Sequence, residues 1–518
     1  MSNDSSHTSD TTAMNNHDEK ADSNEHASTQ VQTYTQPTSP ENIDSEASRF
    51  SKREKWFIVC FTAFVGLFSP LTANIYFPAL PALSRAFNKS TELINLTVTM
   101  YMILQGVAPM LWGPVSDHFG RRPISAICLL ILSLSCVGLA LVPTSAFWLL
   151  MFLRCIQASG SASTIAVGAG VVGDISTRAE RGGFFGIFTI GPMAPIGPVL
   201  GGVLSDKLGW RAIFWFLCIA ASVCFVIIIL FQPETLQLIA DRGQHNVPIL
   251  YKPVLPVIGR NSPAVPSTAT RPKVSRNPFR LFLNPDVDVL LLIAAISCAI
   301  FYGVIATIST SFAEAYPFLT QTTIGLCFLS IGGGMMFGSS VSGRVFDRQY
   351  AKYKAKAQAR MSADPTADMT REESFPLEKA RLRLIPYLII LQVVACAGYG
   401  WSIQKRVNIA VPLILHFIIG SSGIAIMNGA STLMIDLVPG QSSSVTACNN
   451  FVRCTLSAVL VSVIDLIIKA IGNGWTYVIL AVFELLSIPL IFLAIRIGPK
   501  YRVRRQRQRE EALLKASQ

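Results

Sequence analysis

The sequence predicts an all-α membrane protein with twelve transmembrane helices in two pseudo-symmetric six-helix bundles. Three observations lead to this fold class: a deficit of charged residues, a succession of long apolar runs and an internal repeat. Of the 518 residues, 51% are hydrophobic and only 14% are charged, whereas soluble domains carry about 25% charged residues. A deficit of this size indicates that a lipid bilayer surrounds most of the chain.

The apolar runs are long enough to cross a bilayer, which requires about 20 residues in a helix. One such run could lie in the core of a soluble protein, but twelve in succession exclude that interpretation. The predicted spans one to twelve cover residues 56–78, 93–113, 124–142, 147–171, 183–204, 211–231, 287–309, 321–342, 384–402, 408–434, 444–468 and 475–496.

Lysine and arginine are distributed unequally between the two sides of this topology. With the N-terminus in the cytoplasm, the inner segments hold 32 of these residues and the outer loops hold seven. Because short cytoplasmic loops are enriched in basic residues, we expect a multi-pass membrane protein with both termini cytoplasmic. The bias also explains the net charge of +12, so nucleic acid is not an expected partner. Asn88 begins a glycosylation pattern in the first outer loop, a pattern that is common by chance.

Hydrophilic segments divide the chain into two halves. The first 50 residues are too polar to bury a core, and two long basic segments interrupt the spans. The predicted organisation is a disordered cytoplasmic tail (1–50), an N-terminal bundle (51–231), a cytoplasmic linker (232–286), a C-terminal bundle (287–496) containing a cytoplasmic loop (344–383), and a basic cytoplasmic tail (497–518).

An internal repeat supports this division. The segments Gly113–Asp117 and Gly343–Asp347 both read Gly-x-x-x-Asp, and they follow the second span of each half. Span four ends at Asp174, and the corresponding span ten ends at Asp436. Matching acids at matching inner ends are what a duplicated six-span unit predicts.

The strongest motif is GPVSDHFGRRP at residues 113–123. Glycine allows close helix packing, and an aspartate at a helix end can pair with arginines across the loop. This motif resembles the G-x-x-x-D-x-x-G-R-R/K signature of the major facilitator superfamily, which implies the major facilitator fold and a conformational gate. The alternative is that the two arginines are ordinary positive-inside anchors. The predicted gate comprises Gly113, Asp117, Gly120, Arg121, Arg122, Asp174, Arg181, Gly343 and Asp347.

Span five contains a second motif, within residues 191–202. It resembles the G-P-x-x-G-G signature of the antiporter branch of the superfamily, although Met193 stands where that branch usually has glycine. Proline removes a backbone donor and bends a helix, so the resemblance implies a kinked, closely packed helix that acts as a seal. Simple glycine-mediated packing is the alternative. The residues concerned are Gly197, Pro198, Gly201 and Gly202.

Span four carries Arg154, Gln157 and Gly160. This group resembles the R-x-x-Q-G region of proton-coupled exporters, with the glycine two positions late. A buried arginine in a membrane costs several kcal/mol, so the resemblance implies that Arg154 handles protons or holds an acid. The alternative is snorkelling towards the outer surface.

Two stretches resemble the fungal quinidine-resistance-like branch of twelve-span drug:proton antiporters: NIYFPAL from residue 74, and residues 442–453. Bacterial relatives often carry an acid where Asn74 stands. The proton carrier is therefore elsewhere, or the protein is not proton-coupled.

Other polar residues lie inside predicted spans. His416 occupies the repeat position of Arg154, and either His416 or Glu484 could carry protons. The alternatives are a hydrogen-bonded structural histidine and a protonated structural acid. Asn449 and Arg453 share a helix face and are expected to line the cavity, with interhelical bonding as the alternative. The predicted substrate and proton pathway comprises Asn74, Tyr76, Gln105, Arg154, Gln157, His416, Asn449, Asn450, Arg453 and Glu484.

No catalytic, metal-binding or cofactor motif is present, and all eleven cysteines lie in apolar stretches. We therefore expect no enzyme activity and no cofactor. The resemblance implies a monomeric secondary transporter of the cell membrane that exports drugs or weak organic ions by proton antiport with alternating access. An exporter of citrate-like organic acids is the first alternative, and a non-transporting membrane sensor is the second.

Overall fold

The computed structural model describes residues 50–176, 184, 188, 196–236, 251–255, 278–363, 376–438 and 442–517. This part of the chain is helical and contains no strand, which confirms the all-α prediction. Ten of its helical segments are long and apolar enough to cross a membrane. Large apolar side chains such as Trp148 (71% exposed) lie on the outside of the helices, as expected of surfaces in contact with lipid.

The helices of the N-terminal half correspond to spans one to six. Span one is divided, because prolines at positions 78 and 81 cannot donate backbone hydrogen bonds and a 3-10 turn, Phe77–Ala79, replaces the helix there. The N-terminal helices are Lys52–Gly66, Phe68–Asn74 and Leu80–Phe87 (span one), Thr91–Phe119 (span two), Arg121–Leu141 (span three), Phe147–Ile175 (span four), Ile196–Lys207 (the described part of span five) and Arg211–Phe231 (span six).

The C-terminal half repeats this order. Spans eleven and twelve are two helices that meet directly at a kink at Gly472, whose non-helical φ of 80° suits glycine. The C-terminal helices are Pro285–Ala315 (span seven), Gln321–Ala363 (span eight), the short Leu377–Leu382 before Ile385–Gln404 (span nine), Ala410–Leu437 (span ten), Ser442–Leu485 (span eleven and the start of span twelve) and Ser487–Ser517 (the rest of span twelve).

The two halves pack in the same way. Span four contacts spans one, two and three, and span ten likewise contacts spans seven, eight and nine. Between the halves, span two packs on span eleven and span five packs on span eight. We call the end that carries Asp117 and Asp347 the inner end, because the sequence predicts that it is cytoplasmic.

The inner segments are more helical than expected. Span eight continues as a helix to Ala363, well into the predicted loop 344–383. The last helix, Ser487–Ser517, also continues through most of the predicted tail 497–518, and the division into these units stays a prediction. The N-terminal tail (1–50) lies outside the described residues except for Phe50, and so does most of the linker 232–286.

Candidate functional site

Arg154 lies in an aromatic enclosure inside the N-terminal bundle. Its guanidinium carbon is 4.1 Å from the ring centre of Tyr76 and 4.3 Å from that of Tyr101. Cation–π contacts of this kind stabilise a desolvated cation by about 2 kcal/mol. Only 1% of Arg154 is exposed, so it does not snorkel, and no acid among the described residues pairs with it. Arg154 is therefore buried rather than snorkelling in this structure, and its role in handling protons or holding an acid stays a prediction.

Gln157 continues this enclosure towards span three. Arg154 donates from Nη1 to Gln157 Oε1 at 2.6 Å, and Gln157 Nε2 lies 3.2 Å from Cys136 Sγ. The hydroxyl of Tyr76 bonds to Thr97 at 2.9 Å. Arg154 Nε and Nη2 have no hydrogen-bond partner among the described residues, which leaves two donors for a partner absent from this conformation.

His416 occupies the matching position in the C-terminal bundle. Its ring centre lies 5.5 Å from that of Phe312 and 4.6 Å from that of Tyr399. The side chain is fully buried, and neither ring nitrogen has a partner within the described part of the chain. Each half therefore places one basic side chain, Arg154 or His416, among aromatic rings. The two residues occupy equivalent positions in the repeat.

Polar residues of span eleven face three different helices. Asn450 Nδ2 donates to the backbone oxygen of Gln105 at 2.9 Å, across the two bundles. Asn449 Nδ2 donates to Ser431 of span ten at 3.0 Å, which is the interhelical bonding weighed as its alternative role. Arg453 Nε lies 3.3 Å from the sulfur of Cys298 in span seven. Within the described ranges, no carboxylate lies within ion-pair distance of Arg453.

Two predicted pathway residues are less accessible than expected. Glu484 is fully buried within the C-terminal bundle, beside Ser297 of span seven and Cys396 of span nine. Asn74 is half-buried, and its Oδ1 has no hydrogen-bond partner among the residues described. A role for either residue in the pathway stays a prediction.

The inner end of the N-terminal bundle is held by one arginine. Arg121 contacts Asp117 Oδ1 from Nη1 at 2.6 Å and Asp174 Oδ2 from Nε at 3.0 Å. It also donates to Ser116 Oγ at 2.7 Å. We call Arg121, Asp117 and Asp174 the N-terminal latch. It joins spans two, three and four, while Arg181 lies outside the described residues.

Glu234 fixes the start of span three from the end of span six. Its carboxylate accepts the backbone N–H groups of Arg121 at 2.9 Å and of Arg122 at 3.2 Å. Burial raises the pKa of Glu234, and its hydrogen bonds from backbone N–H groups oppose that rise. Gly120, at φ 98°, lies against this carboxylate, so a side chain there would collide with it. Arg121 and Arg122 are 8% and 3% exposed, so neither is a lipid-facing anchor.

A second latch holds the C-terminal bundle, and it contains an arginine that the sequence analysis missed. Arg381 contacts Asp436 Oδ2 at 3.1 Å and Asp347 Oδ1 at 3.7 Å. Its guanidinium also covers the ring of Tyr350. We call Arg381, Asp347 and Asp436 the C-terminal latch. It repeats the N-terminal latch, although Gly343 has open space where a side chain would project.

The helical C-terminal extension docks on the inner end of its own bundle. Arg505 makes a two-armed ion pair with Asp286 at the start of span seven, at 2.7 and 2.6 Å. Arg502 lies 3.5 Å from the buried Glu378, which precedes span nine. These four residues were not predicted, since the basic tail was interpreted only as an orientation signal.

We expect Arg505→Ala to destabilise the folded protein. The substitution leaves Asp286, which is 1% exposed, as a buried carboxylate without its partner, at a cost of about 3 kcal/mol. Thermal unfolding of the purified protein in detergent measures the effect. Arg504→Ala is the matched control, because Arg504 is exposed on the same turn. Equal melting temperatures for the two variants would contradict the docking role.

The described contacts between the two bundles run from the outer end past the middle of the spans, as far as Met110 of span two, which packs in the core of the C-terminal bundle. We call these contacts the outer seam. Span five lies in it between two helices. A side chain on Gly201 would meet the backbone of Ile75 in span one, and one on Gly202 would lie 2.6 Å from the backbone oxygen of Gln321 at the start of span eight. Gly197 also faces span one, and Pro198 contacts Gly325. Towards the inner end, by contrast, Gly113 faces open space.

The sequence analysis also missed the polar pairs of the outer seam. Asn95 and Glu92 of span two contact Asp465 and Lys469 of span eleven. Like Glu484, Asp465 is an acid inside an apolar run. The sequence analysis could therefore have identified Asp465 by the same criterion.

Three comparisons place the chain among known proteins. The model of the Major Facilitator Superfamily matches residues 62–462. Citrate exporter 1 of Aspergillus niger is 35% identical over 494 residues, covering 90% of this chain and 92% of that protein. The multidrug transporter AQR1 of Candida glabrata is 32% identical, covering 90% and 80%. A solved bacterial homologue of the human lysosomal transporter Spinster, in an inward-facing and unoccupied conformation, has a TM-score of 0.62 at 14% identity, covering 87% and 99%.

Proposed function

The chain belongs to the Major Facilitator Superfamily of membrane transporters, and on that premise we propose that it exports small organic molecules in exchange for protons by alternating access. The cell membrane is its proposed location, with both termini cytoplasmic and the protein acting as a monomer. The strong basic bias of the inner segments supports this orientation.

One observation carries the alternating-access proposal. The two bundles contact each other through the outer seam, whereas each latch at the inner end lies within a single bundle. An arrangement joined at one end and separable at the other is what rocking of two rigid halves requires. The open space beside Gly113 and Gly343 supports separation at the inner end.

Arg453 favours a second candidate within this function, the export of organic acids. It lies near mid-membrane, next to residues that contact span two, and its charge is not neutralised by any acid among the described residues. A guanidinium in this position can hold a carboxylate through charge-assisted hydrogen bonds. The similarity to a citrate exporter agrees with such a substrate.

Flux through proteoliposomes tests both parts of this proposal. We expect a pH gradient to accelerate the movement of labelled citrate or of the cationic drug quinidine. Arg453→Ala is expected to lower citrate flux about tenfold or more, because one hydrogen bond to a charged group contributes about 1.5–3 kcal/mol. Arg85→Ala, at an exposed outer arginine, is the control.

Each result has a separate meaning. If neither solute responds to the gradient, proton antiport of these solutes is wrong. If citrate moves equally fast through the wild type and Arg453→Ala, Arg453 does not bind the carboxylate. Quinidine flux without citrate flux would favour the drug-export reading over the organic-acid reading.

A further inference from the structure

Asp465 is an acid buried between the two bundles. It lies in span eleven, three residues inside the predicted outer end of that span, and it is 7% exposed. Asn95 of span two donates from Nδ2 to Asp465 Oδ2 at 2.7 Å. The bond crosses the outer seam, so it exists only while the two bundles are together at that end.

The contact between Asn95 and Asp465 leaves one buried acceptor, the side-chain oxygen of Asn95, without a hydrogen-bond donor. Asn95 Oδ1 is buried and accepts no hydrogen bond from any described residue. A buried acceptor without a partner costs about 1–3 kcal/mol. An ionised Asp465 cannot supply the donor, because a carboxylate only accepts hydrogen bonds. A protonated Asp465 can supply it.

The charged neighbours do not neutralise Asp465 directly. Lys469, one turn further out on the same helix, pairs instead with Glu92 of span two. Tyr477 of span twelve is the other titratable group that faces Asp465 in the described part of the chain. If Asp465 were ionised, closing the seam would bury a carboxylate whose one described hydrogen-bond donor is the neutral amide of Asn95. Desolvating a carboxylate without a charged partner costs several kcal/mol.

We propose that Asp465 is a proton-binding site, loaded from the outer side, whose protonation closes the outer seam. When the seam opens, water reaches the carboxylate and a proton binds to Oδ1. On closure the new O–H donates to Asn95 Oδ1 while Asn95 Nδ2 donates to Asp465 Oδ2, giving a two-armed acid–amide pair. Reopening returns the proton to outer water.

This inference rests on the proposed alternating-access function and adds a proton site to it. Asn74 stands where bacterial relatives often have an acid, and Asp465 lies in the same outer half of the membrane. Because the closed seam holds the proton more tightly than the open seam, acid pH must favour closure by linkage.

The distance across the outer seam tests the proposal, and double electron–electron resonance spectroscopy between two spin labels measures it. Spin-labelled non-canonical amino acids at the exposed positions Lys89 and Asn408 report the two bundles and avoid the native cysteines. In the wild type we expect the short distance to gain population as the pH falls from about 8 to about 5. Asp465→Asn, whose amide supplies the missing donor without a proton, should hold the short distance at every pH.

Two further variants keep the test decisive. Asp206→Asn is the matched control, because Asp206 is an exposed acid in the seam that accepts from Thr322, and its pH response should equal that of the wild type. Asn95→Asp places two carboxyls together, which raises the pKa of one, so closure should occur at higher pH. Asn95→Asp carries the test if Asp465→Asn does not fold.

The proposal is overturned if the wild-type distance does not change with pH, or if Asp465→Asn keeps the wild-type midpoint. The readout needs no substrate, so it is separate from the flux test. A pH-dependent seam in a protein whose solute flux ignores the pH gradient would support this site and contradict antiport.

Discussion

Arg121→Ala is expected to abolish transport and to destabilise the folded protein. The change removes the only described side chain that contacts both Asp117 and Asp174. Breaking a buried ion pair by removing one partner costs about 3–5 kcal/mol, and Arg121 is 8% exposed. Solute flux in proteoliposomes and thermal unfolding in detergent measure the two effects.

Two variants control this prediction. Arg53→Ala removes an exposed arginine from the same end and should leave both measurements near wild type. Arg121→Lys keeps the charge but cannot contact both acids in the planar geometry of a guanidinium, so it should recover only part of the function. Full activity of Arg121→Ala would show that the N-terminal latch is dispensable.

Gly202→Ala is expected to open the outer seam. Its new methyl group would meet the backbone oxygen of Gln321, which cannot move without displacing span eight. Overpacking of this kind costs about 1–3 kcal/mol, enough to shift the balance between the closed and open seam by roughly 5–150-fold. The spin-label distance between positions 89 and 408 should lengthen, and solute flux should fall.

The control for this substitution is another helical glycine. Gly333 lies in span eight and has open space where a side chain would project, so Gly333→Ala should leave both the distance and the flux unchanged. If Gly202→Ala leaves the seam distance unaltered, the close packing of span five does not determine closure.

The sequence was sufficient to predict the fold because the signals that determine it are local. Apolar length predicts spans and basic residues predict orientation, and the match of residues 62–462 to the family model confirms the fold. The N-terminal latch was also predictable in part, since Asp117 and Arg121 are only four positions apart in the sequence, on either side of the turn at Gly120. Its role as a gate stays a prediction.

The remaining contacts depend on distances that no local pattern contains. Arg381 comes 34 positions after Asp347 in the sequence, and only folding brings them together. Asn95 and Asp465 are on different bundles. The environment of Arg154 could not be predicted either. The apolar pattern places Arg154 inside span four, but the pattern does not show that the neighbours of Arg154 are tyrosine rings rather than acids.

The separation of Arg381 from Asp347 has a consequence for how such proteins vary. In the first half, only three residues separate Asp117 from Arg121, so an insertion there would move the acid away from the base. In the second half, the segment between Asp347 and Arg381 can lengthen, shorten or acquire regulatory signals while these two residues stay in contact. A motif search that requires the Asp117–Arg121 spacing would therefore find the N-terminal latch and miss the C-terminal latch. Such a search would underestimate how similar the two halves are.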